Sequence, residues 1–172
     1  DHDGRMDALV LAGATAQAER QILYVSPAAR QLFVARLSMA KGIDPVATGQ
    51  ATGNETRDAG YVYNRSKFLR GAGNTASATW LLATRPPLTA PPREVRQWLA
   101  ELLAVARKGD AQTAVKIAAG IDDTFPPGTD VSAQSYMIRD DYTSLMWLGG
   151  TRALNTLGDG ASAAPLFWRY GA

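Results

Sequence analysis

The feature that most constrains this fold is a short pattern of glycine, alanine and aliphatic residues that occurs four times. In each copy an alanine follows a glycine by five residues, an aliphatic residue precedes the glycine by four, and another apolar residue follows it by eight or nine. The glycine–alanine pairs are Gly13 and Ala18, Gly73 and Ala78, Gly109 and Ala114, and Gly158 and Ala163. The flanking apolar residues are Leu9 and Ile22, Leu69 and Leu81, Val105 and Ile117, and Leu154 and Leu166.

Each copy predicts a reversal between two antiparallel helices. Glycine adopts the left-handed conformation that ends a helix, because it has no Cβ. Alanine lets the next helix approach closely, and the aliphatic residues fill the space between the two helices. The glycines are separated by 60, 36 and 49 residues, so the array is less regular than a strict tetratricopeptide array. The sequence therefore predicts an all-α fold over residues 1–172, a single irregular α-solenoid of helical hairpins that is TPR-like.

Start and stop signals predict about ten helices and no strand. Ser26 before Pro27 predicts a helix that runs to Gly42, and Asp44 before Pro45 predicts a short one. Asp110 is expected to cap another helix, and Asp140 or Asp141 to start a later one. The clearest helix precedes Gly109, with an apolar stripe of Val95, Trp98, Leu99, Leu102 and Leu103.

Two proline-containing stretches, residues 84–92 and 120–130, are predicted to connect hairpins without separating domains. A different interpretation was open for Gly71, Gly73 and Ala76, which satisfy a relaxed dinucleotide-binding fingerprint. The preceding segment "YVYNRSKFLR" is too polar for a buried parallel strand, so we favour the helical turn.

Composition excludes several classes of protein. The net charge is +2, with cations scattered among carboxylates, so nucleic-acid binding is not expected. The densest basic segment contains Arg65, Lys67 and Arg70, which we interpret as a solvated helix face. No apolar run reaches the length of about 18 residues expected of a membrane span, and the absence of cysteine rules out disulfides.

Few residues of this sequence are candidates for catalysis or for metal binding. His2 is the single histidine, so neither a histidine-based triad nor a multi-histidine metal site is expected, and no cofactor is predicted. The acidic pairs Asp122–Asp123 and Asp140–Asp141 are expected to cap helices or face solvent rather than to act in catalysis. The tryptophans invite a sugar-stacking interpretation, but their apolar surroundings favour core packing for all of Trp80, Trp98, Trp147 and Trp168.

The whole chain resembles the N-terminal superhelical region of soluble lytic murein transglycosylases. The segment "YVYNRSKFLRGAGNTASATWLL" is similar to the family's Tyr-x-Arg-x-x-x-Leu-Arg-x-x-Gly pattern through Tyr63, Arg65, Leu69, Arg70 and Gly73. The segments "VRQWLAELLAVARKGDAQTAVKIAAG" and "DDYTSLMWLGGTRALNTLGDGASAAPLFWRY" resemble the family's later helices and their Gly-Asp turns.

The resemblance implies a periplasmic protein whose parent enzyme cleaves the MurNAc–GlcNAc β-1,4 bond and leaves 1,6-anhydroMurNAc ends. In the family, a separate C-terminal lysozyme-like domain supplies a catalytic glutamate followed by serine. None of the glutamates here is followed by serine: Glu19, Glu55, Glu94 and Glu101. We therefore expect an inactive scaffold that associates with glycan strands, with the remainder of the parent chain or with itself. The alternative is a TPR-like adaptor that holds a protein or peptide in a concave groove.

Overall fold

Residues 1–52 and 54–171 are described by a computed structural model, in which they form helices, turns and loops but no strand. These described residues contain nine α-helices. They are α1 (His2–Leu11), α2 (Thr15–Gln21), α3 (Pro27–Ala40), α4 (Ala59–Gly71), α5 (Thr75–Thr84), α6 (Val95–Lys108), α7 (Ala111–Ala119), α8 (Tyr136–Asn155) and α9 (Gly160–Gly171). Short 3-10 helices cover Ile22–Tyr24, Asn54–Arg57 and Gly120–Thr124. The predicted all-α class is confirmed.

Three of the four predicted glycine turns have the left-handed geometry. Gly13, Gly73 and Gly158 have φ angles of 70°, 77° and 65°, and each lies between two consecutive helices. The prediction is wrong for Gly109, which is extended at φ −74° and ψ 165°. There the chain leaves α6 directly into the cap of α7, where Asp110 accepts a hydrogen bond from the Thr113 amide at 2.7 Å.

The alanines of the repeated pattern lie in helix contacts, as predicted. Ala18, Ala78, Ala114 and Ala163 are all buried. The flanking aliphatic residues are less uniform, since Leu154 is 49% exposed. The prediction that Leu154 fills a helix interface is wrong because it lies on the same stripe of α8 as Trp147, seven residues earlier, and that stripe faces solvent.

The predicted helix start is correct at Ser26 and wrong at two other positions. Ser26 caps α3 by accepting a hydrogen bond from the Ala29 amide, with Pro27 as the first helical residue, as predicted. Asp44 before Pro45 begins a turn and no helix. The predicted start of α8 at Asp140 or Asp141 is also wrong, because the helix begins at Tyr136 with Ser135 as its N-cap.

Helices next to each other in the chain pack together, and so do helices two positions apart. Contacts join α4 to α6 and α6 to α8, and others join α5 to α7 and α7 to α9. The main core forms between these two sets of helices and includes Trp98, Leu99, Leu102, Ile117 and Leu145, all almost fully buried. A second core, which includes Met6, Ala18 and Phe33, lies among α1, α2 and α3.

The two proline-containing connectors are bound to each other. Thr84 is still helical and residues 120–124 form a 3-10 helix, so the connectors are shorter than predicted. Asp123 accepts hydrogen bonds from Arg85 Nη1 at 2.6 Å and from the Leu88 amide at 2.9 Å. Trp98 Nε1 donates to Thr124 Oγ1 at 3.1 Å, which fixes the second connector on the core.

Two helix caps should make the fold sensitive to acid. Hydrogen bonds from Thr113 and Ser162 hold the pKa values of Asp110 and Asp159 below the usual 3.8. Because the folded pKa is depressed, this stabilisation is present above the unfolded pKa of 3.8 and is lost as the pH falls through the lower folded pKa. Asparagine caps a helix about as well but does not titrate. The variant Asp110→Asn/Asp159→Asn should therefore lose less of its urea midpoint between pH 7 and pH 3 than the wild type.

The control for this prediction is Asp140→Asn, since the exposed Asp140 carboxylate has no hydrogen bond or ion pair among the residues that the structure describes. Circular dichroism at both pH values gives the midpoints. An unchanged pH dependence in the double variant would refute the assignment of acid sensitivity to the caps.

Candidate functional site

The structure places only one of the four tryptophans in the core. Trp98 is buried, whereas Trp80, Trp147 and Trp168 are 68%, 53% and 77% exposed. The core prediction is wrong for these three because α5, α8 and α9 carry apolar residues around much of their circumference. The pattern in such a helix does not show which apolar side faces its neighbours.

Three exposed aromatic residues belong to a concave surface of about 600 Å³, which we call the aromatic groove. It is formed by the loop 129–132, the first half of α8 and the end of α9. Its lining residues are Thr129, Asp130, Val131, Ser132, Tyr136, Arg139, Asp140, Tyr142, Thr143, Trp168, Arg169 and Tyr170. Tyr136 and Trp168 are the most exposed aromatic side chains of this set, and Tyr170 is about half exposed.

Local hydrogen bonds shape the loop side of the groove. Gly128 is left-handed at φ 81°, and Thr129 Oγ1 donates to the Pro126 carbonyl oxygen at 2.7 Å. The Asp130 carboxylate accepts hydrogen bonds from the Ser132 amide at 2.9 Å and from Ser132 Oγ at 2.7 Å. These two bonds lower the pKa of Asp130, whose carboxylate is ionised at neutral pH.

The helical side of the groove combines an aromatic floor with charged groups. Tyr142 is buried, and its ring lies edge-on to Phe125 with centroids 6.1 Å apart. Arg169 is held by Asp122, with Nη2 to Oδ2 at 2.6 Å and Nε to Oδ1 at 3.1 Å. The Asp140 carboxylate lines the groove without a hydrogen bond or ion pair to any residue that the structure describes, while its backbone carbonyl accepts from Thr143 Oγ1 at 3.2 Å. Its carboxylate is therefore available to a ligand.

A second group of aromatic side chains extends the groove along the outside of α8. Trp147 packs against Phe167 and Tyr170 of α9, with ring centroids 5.7 Å and 5.4 Å apart. Since Tyr170 lines the groove as well, aromatic surface continues from Trp168 to Trp147. Such a surface presents flat apolar faces next to hydrogen-bonding groups, which is the combination that recognises a ligand with both properties.

The prediction that the acidic pairs cap helices or face solvent is confirmed for Asp122 and Asp140, whose side chains are exposed, and is wrong for Asp123. Asp123 is largely buried and forms an ion pair with Arg85. Asp141 is half-buried beside α6, and burial together with the adjacent Asp140 raises its pKa. Among the described residues, no three histidine, aspartate or glutamate side chains are grouped as metal ligands.

The basic segment of α4 is less solvated than predicted. Arg65 pairs with Asp44, with Nη1 to Oδ1 at 2.7 Å, and Arg70 pairs with the buried Glu101 of α6, with Nη2 to Oε2 at 2.6 Å. Lys67 lies over the Tyr63 ring, with Nζ 5.3 Å from its centroid. The solvated-face interpretation is therefore wrong for the two arginines, which are held by carboxylates far away in sequence.

These residues border a second concave surface, of about 430 Å³, which we call the α4–α6 shelf. Its lining residues are Tyr63, Lys67, Arg70, Glu94, Arg96, Gln97, Ala100, Glu101 and Ala104. The nearby Gly71 ends α4, Gly73 lies in the turn and Ala76 belongs to α5, so no strand precedes these residues and the dinucleotide-loop interpretation is excluded.

Comparison of the chain with protein families, with characterised proteins and with solved structures found no match. No helix within residues 1–52 and 54–171 combines the length and the apolar character that crossing a bilayer requires. A functional inference therefore starts from the geometry of the aromatic groove and the α4–α6 shelf.

Proposed function

We propose that this chain is the helical scaffold of a soluble lytic transglycosylase and that its aromatic groove holds a peptidoglycan glycan strand. In this proposal the protein is periplasmic and the scaffold alone is inactive. Another part of the parent enzyme cleaves the MurNAc–GlcNAc bond. The proposal begins with the resemblance carried by Tyr63, Arg65, Leu69, Arg70 and Gly73.

The order of helix contacts supports an irregular solenoid. Helical hairpins that stack in sequence order bring every second helix into contact. Such contacts join α4, α6 and α8 in one set and α5, α7 and α9 in another. A stack of this kind curves and offers an extended surface to a polymer. The proposed scaffold role is supported by this order of contacts and by the lack of a glutamate–serine pair in the given sequence.

The observation that carries the glycan proposal is the exposure of Tyr136 and Trp168 on the aromatic groove. A pyranose ring has an apolar face of C–H groups, which stacks on an aromatic ring, and a rim of hydroxyl and amide groups, which form hydrogen bonds. The groove supplies the stacking rings and, in Asp140, Ser132 and Thr143, the polar partners. No net charge on the ligand is required for this mode of binding.

Replacing Trp168 with alanine should weaken glycan binding about tenfold. Loss of one stacking platform removes roughly 1–2 kcal/mol, of which 1.4 kcal/mol corresponds to a factor of ten. Affinity is measured by isothermal titration with soluble glycan strands from which the peptides have been removed. Tryptophan fluorescence provides a second readout.

The matched control is Trp80→Ala, because Trp80 is similarly exposed but lies on α5 outside the groove. It should bind like the wild type. Equal weakening by both substitutions, or no binding by the wild type, would refute the glycan groove. Release of anhydro-sugar products from sacculi by this chain would refute the inactive scaffold.

The alternative function is a TPR-like adaptor that binds a peptide. The α4–α6 shelf favours it, since five of its nine lining residues are charged, against four of twelve in the aromatic groove. The open reading frame discriminates between the two functions: a downstream lysozyme-like domain with a glutamate–serine pair belongs to the transglycosylase and not to the adaptor.

A further inference from the structure

The α4–α6 shelf contains an arginine whose side chain is held in place by a buried carboxylate. Glu101 is almost fully buried and accepts hydrogen bonds from Arg70 Nε at 3.0 Å, from Arg70 Nη2 at 2.6 Å and from Ser66 Oγ at 2.6 Å. These bonds use one edge of the guanidinium and leave Nη1 outside the ion pair. Because Arg70 is about a quarter exposed and lines the shelf, it is a pre-organised donor for a ligand.

The charges around Arg70 favour a ligand whose anionic group carries one negative charge. Glu101 neutralises Arg70, and the remaining charged residues of the shelf are Lys67, Arg96 and Glu94. The shelf is therefore positive by one unit overall. A carboxylate matches this charge, whereas sites for a doubly charged phosphate usually concentrate cations without a carboxylate beside them.

The floor of the shelf fits an extended peptide. Ala100 and Ala104 leave space along α6, and the buried Tyr63 lies beside them. Gln97 lies next to these residues, and its amide group both donates and accepts hydrogen bonds, as a peptide backbone requires. The amide of Gln97 and the two arginines of the shelf thus lie on the same surface as Ala100 and Ala104.

We propose that the α4–α6 shelf binds an acidic peptide, with one carboxylate of the peptide held by Arg70 and by the neighbouring Lys67 and Arg96. The site uses no residue of the aromatic groove. It therefore does not depend on the glycan proposal.

The test measures fluorescence anisotropy of a fluorescein-labelled tetraglutamate peptide, with a tetraglutamine peptide of the same design for comparison. The wild type should bind the glutamate peptide at low ionic strength at least about tenfold more tightly than the glutamine peptide. The variant Lys67→Gln/Arg96→Gln should lose about tenfold in affinity. Both side chains are exposed, so the fold should be unchanged.

The matched control is Arg20→Gln/Lys116→Gln, which makes the same change in net charge on exposed side chains outside the shelf. This variant and Trp168→Ala should both bind the glutamate peptide like the wild type. Equal affinity for the two peptides, equal weakening in the control pair, or displacement of the peptide by equimolar inorganic phosphate would overturn the proposal.

Discussion

Gly60→Ala should destabilise the protein by about 3 kcal/mol, although it adds only one methyl group. Gly60 lies in the first turn of α4, and a Cβ there would overlap the guanidinium group of Arg36. Arg36 is only 2% exposed, so its guanidinium cannot move into solvent. It donates from Nε to Asn64 Oδ1 at 2.8 Å and pairs through Nη1 with Asp7 at 2.6 Å.

Displacing this arginine would break contacts that join α1, α3 and α4. Removing the partners of a buried charge lowers the free energy of unfolding several times more than removing those of an exposed charge. In Arg36, Nη2 already has no hydrogen-bond partner among the described residues. The stacking of the guanidinium on the Phe33 ring, 5.4 Å from the centroid, would be lost as well. Urea denaturation followed by circular dichroism measures the loss.

The control is Gly71→Ala in the same helix. No atom lies within 4 Å of a Cβ at Gly71, and its φ angle is negative. Alanine should therefore leave stability unchanged or raise it by up to about 1 kcal/mol. Equal stability of the two variants would show that the Arg36 network does not require glycine at position 60.

Gly149→Ala should destabilise the protein by about 2 kcal/mol. A Cβ at Gly149 would lie 2.6 Å from Ala118 Cβ of α7 and 3.0 Å from Leu166 Cδ1 of α9. Its neighbour Gly150 meets the Phe167 ring of α9 in the same way. The two glycines mark the place where α8 is packed most closely between its neighbours.

A double-variant cycle tests this contact. Ala118→Gly alone should cost about 1 kcal/mol, because it places glycine in a helix and removes a buried methyl group. In the presence of Gly149→Ala the same change removes the closest overlap, so the double variant should be more stable than the sum of the two losses predicts. Additive losses would contradict the proposed contact. Gly160→Ala, which meets no atom within 4 Å, serves as the control.

Long-range ion pairs, long-range hydrogen bonds and grooves could not be predicted from the sequence. Arg70 and Glu101 are 31 residues apart, and Arg36 and Asn64 are 28 apart, and nothing in either local segment indicates the partner. The aromatic groove combines a loop with two helices whose residues meet only after α9 packs against α8. For the same reason, the exposure of Trp168 was not apparent from its apolar neighbours in sequence.

The sequence by itself determined the helical class, the left-handed turns at Gly13, Gly73 and Gly158, and the caps at Ser26 and Asp110. These features depend on backbone sterics and on hydrogen bonds between residues a few positions apart, so the information is local. Only the tertiary structure decided that Trp80, Trp147 and Trp168 face solvent while Arg36 and Glu101 are buried. Burial depends on which side of each helix its neighbours cover, and that is fixed by the packing of segments distant in the chain.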